Sequence, residues 1–187
     1  MHRKPLTILE KRDPTCYKGH VLGADDFRRV LGHFASGVTV VTTLDVDGRP
    51  AGLTASAVAS VSLEPPLILV CVAHTSQSYP HFRTHGRFAV NILASDHEQV
   101  ARRFASTGAA GEKFEGTGYR PGALGLPILK DALAELECTL VHAYPAGDHT
   151  IFVGQVEAGE CRGDHGLEPL LYYRGRFGRL HPPGETL

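Results

Sequence analysis

Hydrophobic and polar residues follow one another along this chain in short runs that turn-forming residues separate. Runs rich in β-branched residues predict strands, and the Asp47-Gly48 pair predicts a hairpin turn after the first of them. The continuous apolar run 67–73 predicts a strand buried on both faces. The pattern Pro145-Ala146-Gly147-Asp148 predicts a turn between two long strands. The predicted strands cover residues 38–44, 67–73, 88–93, 132–144 and 151–161, with a final hairpin at 170–180.

Three segments carry helical patterns. The first has an Asp25 cap and ends at Gly37, and its apolar residues recur at i, i+3, i+4 and i+7, which predicts an amphipathic helix docked on a core. Those apolar residues are Phe27, Val30, Leu31 and Phe34. Ser78 predicts a cap for a short helix over residues 80–85, and Asp96 predicts a cap for a helix that runs through Phe104.

Hydroxyl and small apolar residues alternate over residues 52–66. In extended chain, successive side chains point to opposite faces, so the run predicts a strand with a hydroxyl face and a small apolar face. Such a ridge suits a flat, phosphorylated ligand, and an ordinary half-exposed strand explains the alternation as well. The hydroxyls are Thr54, Ser56, Ser60 and Ser62, and the small apolar residues are Ala55, Ala57, Ala59, Val61 and Leu63.

Strands paired by hairpins, with few helices, predict a mainly β protein in which an antiparallel barrel carries flanking helices. Residues 1–22 are polar and predict an N-terminal arm, and residues 23–187 predict one domain. Residues 106–127 are rich in Gly and Pro and predict a long loop, which is uncommon in a compact domain unless it is functional.

Composition narrows the classes of function. The 19 basic and 20 acidic residues nearly cancel, which argues against a nucleic-acid or membrane-surface partner. The four cysteines have no CxxC spacing, and the N-terminus lacks the apolar segment of a secretory signal. We therefore expect a protein of the reducing cytoplasm without disulfides.

Several familiar catalytic signatures are missing, including GxGxxG, the P-loop, GxSxG and HExxH. His81 and His85 have the spacing of two metal ligands on a helix. No third ligand lies nearby in the sequence, so a partly exposed helix face is the better interpretation and no metal is predicted.

Polar residues after predicted strands are further candidates. Thr75-Ser76-Gln77-Ser78 precedes a helix, where hydroxyls and backbone N–H groups make an anion site or simply a cap. His149 lies in a turn, where histidine is usually solvated. Tyr172-Tyr173-Arg174-Gly175 places aromatic rings beside a guanidinium, which suits an aromatic or phosphorylated ligand, or a strand with one ring on each face.

The ordered set of these motifs resembles the short-chain flavin reductase family, the reductase halves of two-component flavin-dependent monooxygenases. The likeness covers residues 24–180. It begins with FRRVLGHFASGVTVVTT at 27–43 and the 52–66 run, and continues with FAVNIL at 88–93, RFA at 103–105, KF at 113–114, GDH at 147–149 and YYRG at 172–175.

The resemblance implies a split β-barrel, a homodimer, binding of FMN or FAD, oxidation of NADH or NADPH, and a separate oxygenase that takes the reduced flavin. It places the flavin ring and ribityl chain against the 54–57 segment and the phosphate near the β-strand end at 76–78. It implies no essential acid or nucleophile, since flavin brings its own redox chemistry. The implied flavin residues are Thr39, Thr54, Ala55, Ser56, Ala57, Ser60, Ser76, Ser78, Asn91 and Phe104, and the implied NAD(P)H residues are His149, Tyr173, Arg174 and Gly175.

Two alternatives remain at this point. A non-catalytic flavoprotein of the same barrel type would carry electrons or act as a sensor, and would need no nicotinamide contacts such as His149 and Arg174. An oxidase of the pyridoxamine-phosphate type would use a related barrel and would be reduced by an amine.

Overall fold

A computed structural model describes residues 22–108, 111–162 and 168–180, so the predicted arm lies, apart from Leu22, outside the described residues. The described residues form three α-helices and twelve strands. The helices are α1 (Ala24–Leu31), α2 (Tyr79–His85) and α3 (Glu98–Ala105). The strands are β1 (Ser36–Gly37), β2 (Thr39–Leu44), β3 (Pro50–Ala55), β4 (Val58–Leu63), β5 (Pro66–Ala73), β6 (Arg87–Ile92), β7 (Tyr119–Pro121), β8 (Pro127–Leu129), β9 (Ala134–Ala146), β10 (His149–Cys161), β11 (Leu171–Tyr173) and β12 (Arg176–Gly178).

Seven strands form one antiparallel sheet in the order β3-β2-β6-β9-β10-β5-β4. The two edge strands, β3 and β4, are consecutive in the chain, and only Ser56 and Ala57 separate them. The sheet therefore has to curl until its edges meet at this bend. The predicted mainly β, antiparallel barrel is confirmed, and β1-β11-β12 and β7-β8 form two small sheets beside it.

The barrel core is built from one face of each strand. In β5, Ile68, Val70 and Val72 are buried, while the residues between them are half-buried. The prediction that this strand is buried on both faces is therefore wrong, because β5 lies in the wall of a barrel and not in a covered parallel sheet. Phe82 of α2 stacks on Phe152 at a centroid distance of 5.5 Å and closes one end of the core.

The 52–66 run does not form one strand. It supplies the end of β3, the bend at Ser56 and Ala57, and all of β4. β3 turns Leu53 and Ala55 into the core, whereas Ala59 and Val61 of β4 are exposed. Hydroxyl and apolar residues keep alternating in the sequence through this bend. The pattern alone therefore does not reveal that the chain passes there from one edge strand of the sheet to the other.

Helix α1 forms as predicted but does not dock on the core. It starts from Gly23, so Asp25 lies in the first turn and is not the cap. Its apolar face is open, because Phe27 and Val30 are each 55% exposed and Phe34, beyond its end, is 76% exposed. The helix ends at Leu31 and not at Gly37 as predicted, because Ser36 and Gly37 form β1.

Two other local predictions also differ from the structure. Helix α3 starts from His97 and not from Asp96, and no side chain caps it. The predicted loop at 106–127 contains a short 3-10 helix, Glu112–Phe114, and the start of the β7–β8 pair. Tertiary contacts order this segment, since Phe114 packs edge-on against Phe104 with centroids 4.8 Å apart. Within the described part of the chain, no helix is long and apolar enough to cross a membrane.

The core tolerates little added volume at Gly154 of β10. A Cβ there would lie 2.5 Å from Cζ of Phe88 and 2.8 Å from Cβ of Cys138. Gly154→Ala is expected to cost about 1–3 kcal/mol of unfolding free energy, because the added methyl group would displace the buried ring of Phe88. Denaturant unfolding measures the loss, with Gly178→Ala as the control, since that position has open space. Equal stability of the two variants would contradict this packing.

Candidate functional site

A cleft of about 440 Å³, called here the first cavity, opens where the β3–β4 bend passes the end of β5 and the end of α3. This volume is in the range of small-molecule and cofactor sites. Its lining residues are Leu53, Thr54, Ala55, Ser56, Ala57, Cys71, Ala73, Thr75, Ser76, Gln77, Phe104, Ala105, Ser106, Thr107, Lys113 and His149. The structure thus brings together predicted site residues from four separate segments of the chain.

The wall of the first cavity owes its shape to small side chains and to two hydroxyls that donate to backbone carbonyls. Thr54 donates from Oγ1 to the carbonyl of Ala101 at 2.6 Å, which fixes β3 to α3. Thr39 donates to the carbonyl of Ala55 at 2.7 Å from the neighbouring strand. Ala57 presents only a methyl group here, and Ala55 turns its methyl group into the core, so a flat ligand can approach the backbone closely.

The turn between β5 and α2 supplies hydrogen-bond donors at one side of the cavity. Within the described residues, the backbone N–H groups of Thr75 and Gln77 make no hydrogen bond, and both residues line the cavity. Ser76 lines it as well, and its Oγ accepts the N–H of Ser78 at 3.3 Å. Free N–H groups and a hydroxyl together favour an anionic ligand group.

Ser78 does not face this cavity. It precedes α2 but makes no cap with its side chain, and it is fully buried. Its Oγ donates to the carbonyl of Gly52 at 2.8 Å, so the hydroxyl ties α2 to β3. The sequence pattern placed Ser76 and Ser78 together, whereas the chain turns between them and sends the two hydroxyls in different directions.

Lys113 is a site residue for which the sequence predicted no role. Its side chain is only 5% exposed, it lines the first cavity, and Nζ donates to the carbonyl of Phe104 at 3.2 Å. Burial lowers the pKa of Lys113 below its usual value. A buried ammonium without a carboxylate partner among the described residues is costly unless an anion joins it. A sequence signal was present in its place within the Gly- and Pro-rich segment 106–127, whose length is uncommon unless a loop is functional.

His149 lines the first cavity from the first position of β10, beside the end of β5, where it pairs with Ala73. The turn before it is tighter than predicted, because β9 runs to Ala146 and only Gly147 and Asp148 lie between the strands. Nδ1 of His149 lies 2.7 Å from Oδ1 of Asp148, and this hydrogen bond is the main cause of the lowered pKa of the Asp148 carboxyl. With Nδ1 donating to Asp148, Nε2 remains for a ligand.

Three other predicted flavin residues lie away from the cavity lining. Asn91 is fully buried, donates to the carbonyl of Val40 at 3.0 Å and accepts the N–H of Leu129 at 2.8 Å, so it joins β6 to β2 and β8. Thr39 lies behind Ala55. Ser60 is exposed on β4, opposite Ile68 of β5 and beyond the bend.

The predicted NAD(P)H residues divide among three places. His149 lines the first cavity, whereas Tyr173 and Arg174 line a groove on the β11–β12 hairpin. Gly175 lines another cleft, which adjoins the first cavity along Thr54. Arg174 and Gly175 form the two-residue turn of the hairpin, both with positive φ.

Among the described residues, no three His, Cys, Asp or Glu side chains come together. His81 and His85 lie half-buried on α2, consistent with a partly exposed helix face.

The chain forms an antiparallel split barrel, and the bend between its two edge strands forms the wall of a cofactor-sized cleft. This combination is that of the flavin-binding split-barrel class. The chain belongs to the flavin reductase like domain family, whose model matches residues 31–181. The sequence-based recognition and fold class are therefore confirmed.

Known relatives agree with this assignment. The chain is 40% identical to the reductase subunit HsaB of a flavin-dependent monooxygenase from Rhodococcus jostii, over 83% of this chain and 77% of that protein. It is 40% identical to a flavin reductase (NADH) from Kitasatospora aureofaciens, over 85% of this chain and 83% of that one. The structure of the NADH:FAD oxidoreductase SgcE6 from Streptomyces globisporus, in complex with NAD and FAD fragments, superposes with a TM-score of 0.79 at 36% identity, over 86% and 94% of the two chains.

Proposed function

We propose that this protein uses NADH or NADPH to reduce FMN or FAD and that it supplies the reduced flavin to a separate oxygenase. The observation that carries the proposal is the first cavity, whose lining combines free backbone N–H donors, a wall of small side chains and His149. Relatives named as NADH-dependent flavin reductases and as monooxygenase reductase subunits support it.

The residues of the first cavity fit a flavin. The segment Thr54–Ala57 would lie along the ring system, and the N–H groups of Thr75 and Gln77, with Ser76, would hold the phosphate region. Lys113 would pair with negative charge, which would compensate for the burial of its ammonium. When bound, the flavin supplies the hydride-accepting chemistry, and the protein positions and tunes it.

The chain's own residues have the task of holding two ligands in contact and then releasing one. His149 stands at the rim, about two-fifths exposed, where Nε2 can orient a nicotinamide without entering the flavin wall. The open side of the cavity lets a second ligand approach and lets the flavin leave. A resident electron carrier would instead enclose its cofactor, so the geometry favours the reductase over the carrier.

Activity with each pair of substrates tests the proposal. Purified protein is mixed with NADH or NADPH and with FMN or FAD, and absorbance at 340 nm follows oxidation of the nucleotide. Flavin-dependent oxidation in at least one pair is expected. Tight flavin retention without turnover in any pair would overturn the reductase assignment and indicate a carrier, and reduction by an amine would indicate an oxidase.

Separate roles are predicted for the two serines at the β5–α2 turn. Ser76→Ala is expected to raise the flavin Kd about two- to tenfold, the value of one hydrogen bond, with little change in stability. Ser78→Ala is expected to cost about 1–3 kcal/mol of stability, because the buried carbonyl of Gly52 loses its donor, with little change in Kd. Fluorescence titration and denaturant unfolding measure the two effects. The reverse pattern would contradict the placement of both hydroxyls.

We also propose a homodimer. The open apolar face of α1, with Phe27 and Val30 half-exposed and Phe34 beyond it, supports it, because large exposed apolar patches commonly mark protein interfaces. Light scattering would give twice the chain mass, and a monomeric mass at micromolar concentration would contradict the dimer.

The cytoplasm is the compartment we propose, and the free thiols of Cys71, Cys138 and Cys161 support a reducing environment.

A further inference from the structure

Two side chains that flank the β5–α2 turn converge on one buried hydroxyl. Oγ1 of Thr150 lies 3.0 Å from Nε2 of His74 and 3.0 Å from the hydroxyl of Tyr79. A hydroxyl donates one hydrogen bond and accepts two, so Oγ1 can serve both partners at once. We call the side chains of His74, Tyr79 and Thr150 the clasp, because they join both ends of the turn to β10.

Further contacts hold the clasp in place. The N–H of His74 donates to the carbonyl of Asp148 at 2.9 Å, which fixes the start of the turn to the residue before β10. The rings of His74 and Tyr79 pack together with centroids 4.9 Å apart, and the Tyr79 ring lies 5.9 Å from that of Phe152. Phe152 is buried in the barrel core. Both ends of the turn are therefore anchored to the same part of the barrel.

The segment between these anchors, residues 75–78, carries the donors of the first cavity. The N–H of Ser76 donates to the carbonyl of Ala73 at 3.0 Å, whereas those of Thr75 and Gln77 make no hydrogen bond among the described residues. Thr75 and Gln77 are exposed, so burial of their own side chains does not fix the direction of these N–H groups. Donors favour an anion most when they are held in place before it binds, and the clasp supplies that restraint.

Thr150 acts from outside the cavity. It is 2% exposed and follows the cavity-lining His149 in β10, so the two side chains lie on opposite faces of the strand. Neither Thr150 nor its two partners, His74 and Tyr79, line the first cavity. An effect of Thr150 on a ligand there has to pass through the turn.

We propose that Thr150 is a positioning residue for the phosphate of the bound flavin, which it serves through the clasp without touching the ligand. The proposal rests on the proposed function, which puts the flavin phosphate against the N–H groups of Thr75 and Gln77. Loss of the Thr150 hydroxyl should therefore weaken the binding of a phosphorylated flavin and leave a flavin without phosphate almost unaffected.

FMN and riboflavin test this specificity, because the two differ only in the phosphate. Thr150→Val keeps the β-branched shape of the side chain and removes the hydroxyl. The Kd of FMN is expected to rise about three- to tenfold, within the value of one hydrogen bond, while the Kd of riboflavin stays within about twofold of the wild type. Flavin fluorescence titration gives both constants. Thr150→Ser restores the hydroxyl and should restore the wild-type ratio of the two constants.

Tyr79→Phe tests the clasp from its other end. It keeps the ring against Phe152 and removes the hydroxyl, so the preference for FMN over riboflavin should fall by a smaller factor than in Thr150→Val. The double variant should match Thr150→Val alone, because both changes break the same contact.

Thr43→Val is the matched control. Thr43 is as buried as Thr150 and donates from Oγ1 to the carbonyl of Arg87 at 2.7 Å, but it lies in β2, outside the first cavity. Its loss should leave the ratio of the two constants unchanged, because a ratio measured within one protein cancels a general loss of folded protein. An equal change of the ratio in Thr43→Val and Thr150→Val would contradict the proposal.

Three further results would overturn it. One is a ratio that Thr150→Val and Tyr79→Phe both leave unchanged. Another is an equal loss of affinity for FMN and riboflavin in Thr150→Val, which would show a structural role alone. The third is a wild type that binds riboflavin as tightly as FMN, which would remove the phosphate from the turn. All three concern binding, whereas absence of NAD(P)H oxidation with every flavin would contradict the proposed function.

Discussion

Lys113→Met is expected to raise the Kd of FMN about ten- to a hundredfold, the range of a buried charge-assisted hydrogen bond. Lys113 is the buried cation of the first cavity, and its contact among the described residues is a neutral carbonyl, that of Phe104. An anionic ligand is therefore the partner that this ammonium lacks. Methionine keeps the length and apolar stem of the side chain, so packing should survive while the charge is lost.

Stability should distinguish this role from a structural one. Burial lowers the pKa of Lys113, so the folded protein disfavours the charged form relative to the unfolded chain. That penalty is present at neutral pH and fades as pH rises toward the ordinary lysine value of 10.5, where the unfolded chain also loses the proton. Lys113→Met should thus unfold at no lower denaturant concentration than the wild type near pH 7.

Lys130→Met is the matched control for Lys113→Met, because Lys130 is exposed and lines no part of the first cavity. Flavin fluorescence titration at fixed salt gives the Kd of both variants. An unchanged Kd in Lys113→Met, or an equal change in both, would contradict the assignment of Lys113 to the anionic part of the ligand.

His149→Ala is expected to lower kcat/KM for NADH about ten- to a hundredfold, while the flavin Kd changes less than threefold. His149 lies on the rim, about two-fifths exposed, and presents Nε2 because Nδ1 bonds to Asp148. The expected result follows from the proposed contact of this imidazole with the second ligand. Stopped-flow reduction of bound flavin, measured over a range of NADH concentrations, separates weaker binding from slower hydride transfer.

Asp148→Asn provides a graded test of the same role. Its carboxylate orients the ring of His149 from an exposed position, so the amide should cause a smaller loss of kcat/KM than His149→Ala. His142→Ala is the control, since it removes an exposed imidazole from β9, outside the first cavity. A flavin Kd that rises as much as kcat/KM falls in His149→Ala would place His149 against the flavin and contradict the assignment.

Periodicity and turn residues predicted the barrel strands well, because local patterns determine them. β2, β5, β6, β9 and β10 lie within a few residues of the predicted runs. Hairpin turns at Asp47-Gly48 and Gly147-Asp148 were also expected. The helix caps were less predictable, since Gly23 and His97 precede helices without making a side-chain cap.

The candidate site was only partly predictable, because spacing in the sequence does not show where a hydroxyl or an amide points. Ser76 and Ser78 have equal chemistry, but one lines the cavity and the other bonds to Gly52. Asn91 has the amide of a ligand-binding residue, but its Nδ2 donates to the carbonyl of Val40 and its Oδ1 accepts the N–H of Leu129. The burial of Lys113 depends on tertiary packing, such as that of Phe114 on Phe104, which the sequence does not show.

The bend at Ser56 and Ala57 couples the stability of the fold to ligand occupancy. It joins the two edges of the seven-stranded sheet and also forms the cavity wall, so a bound flavin fills the place where the barrel closes. A ligand that binds only the folded state stabilises it, by about 2.7 kcal/mol at a hundred times its Kd. A reductase that releases its flavin to another enzyme gives up that stabilisation in every catalytic cycle. Between release and rebinding, the hydrogen bonds of Thr54 and Ser78 still tie β3 to α3 and to the start of α2.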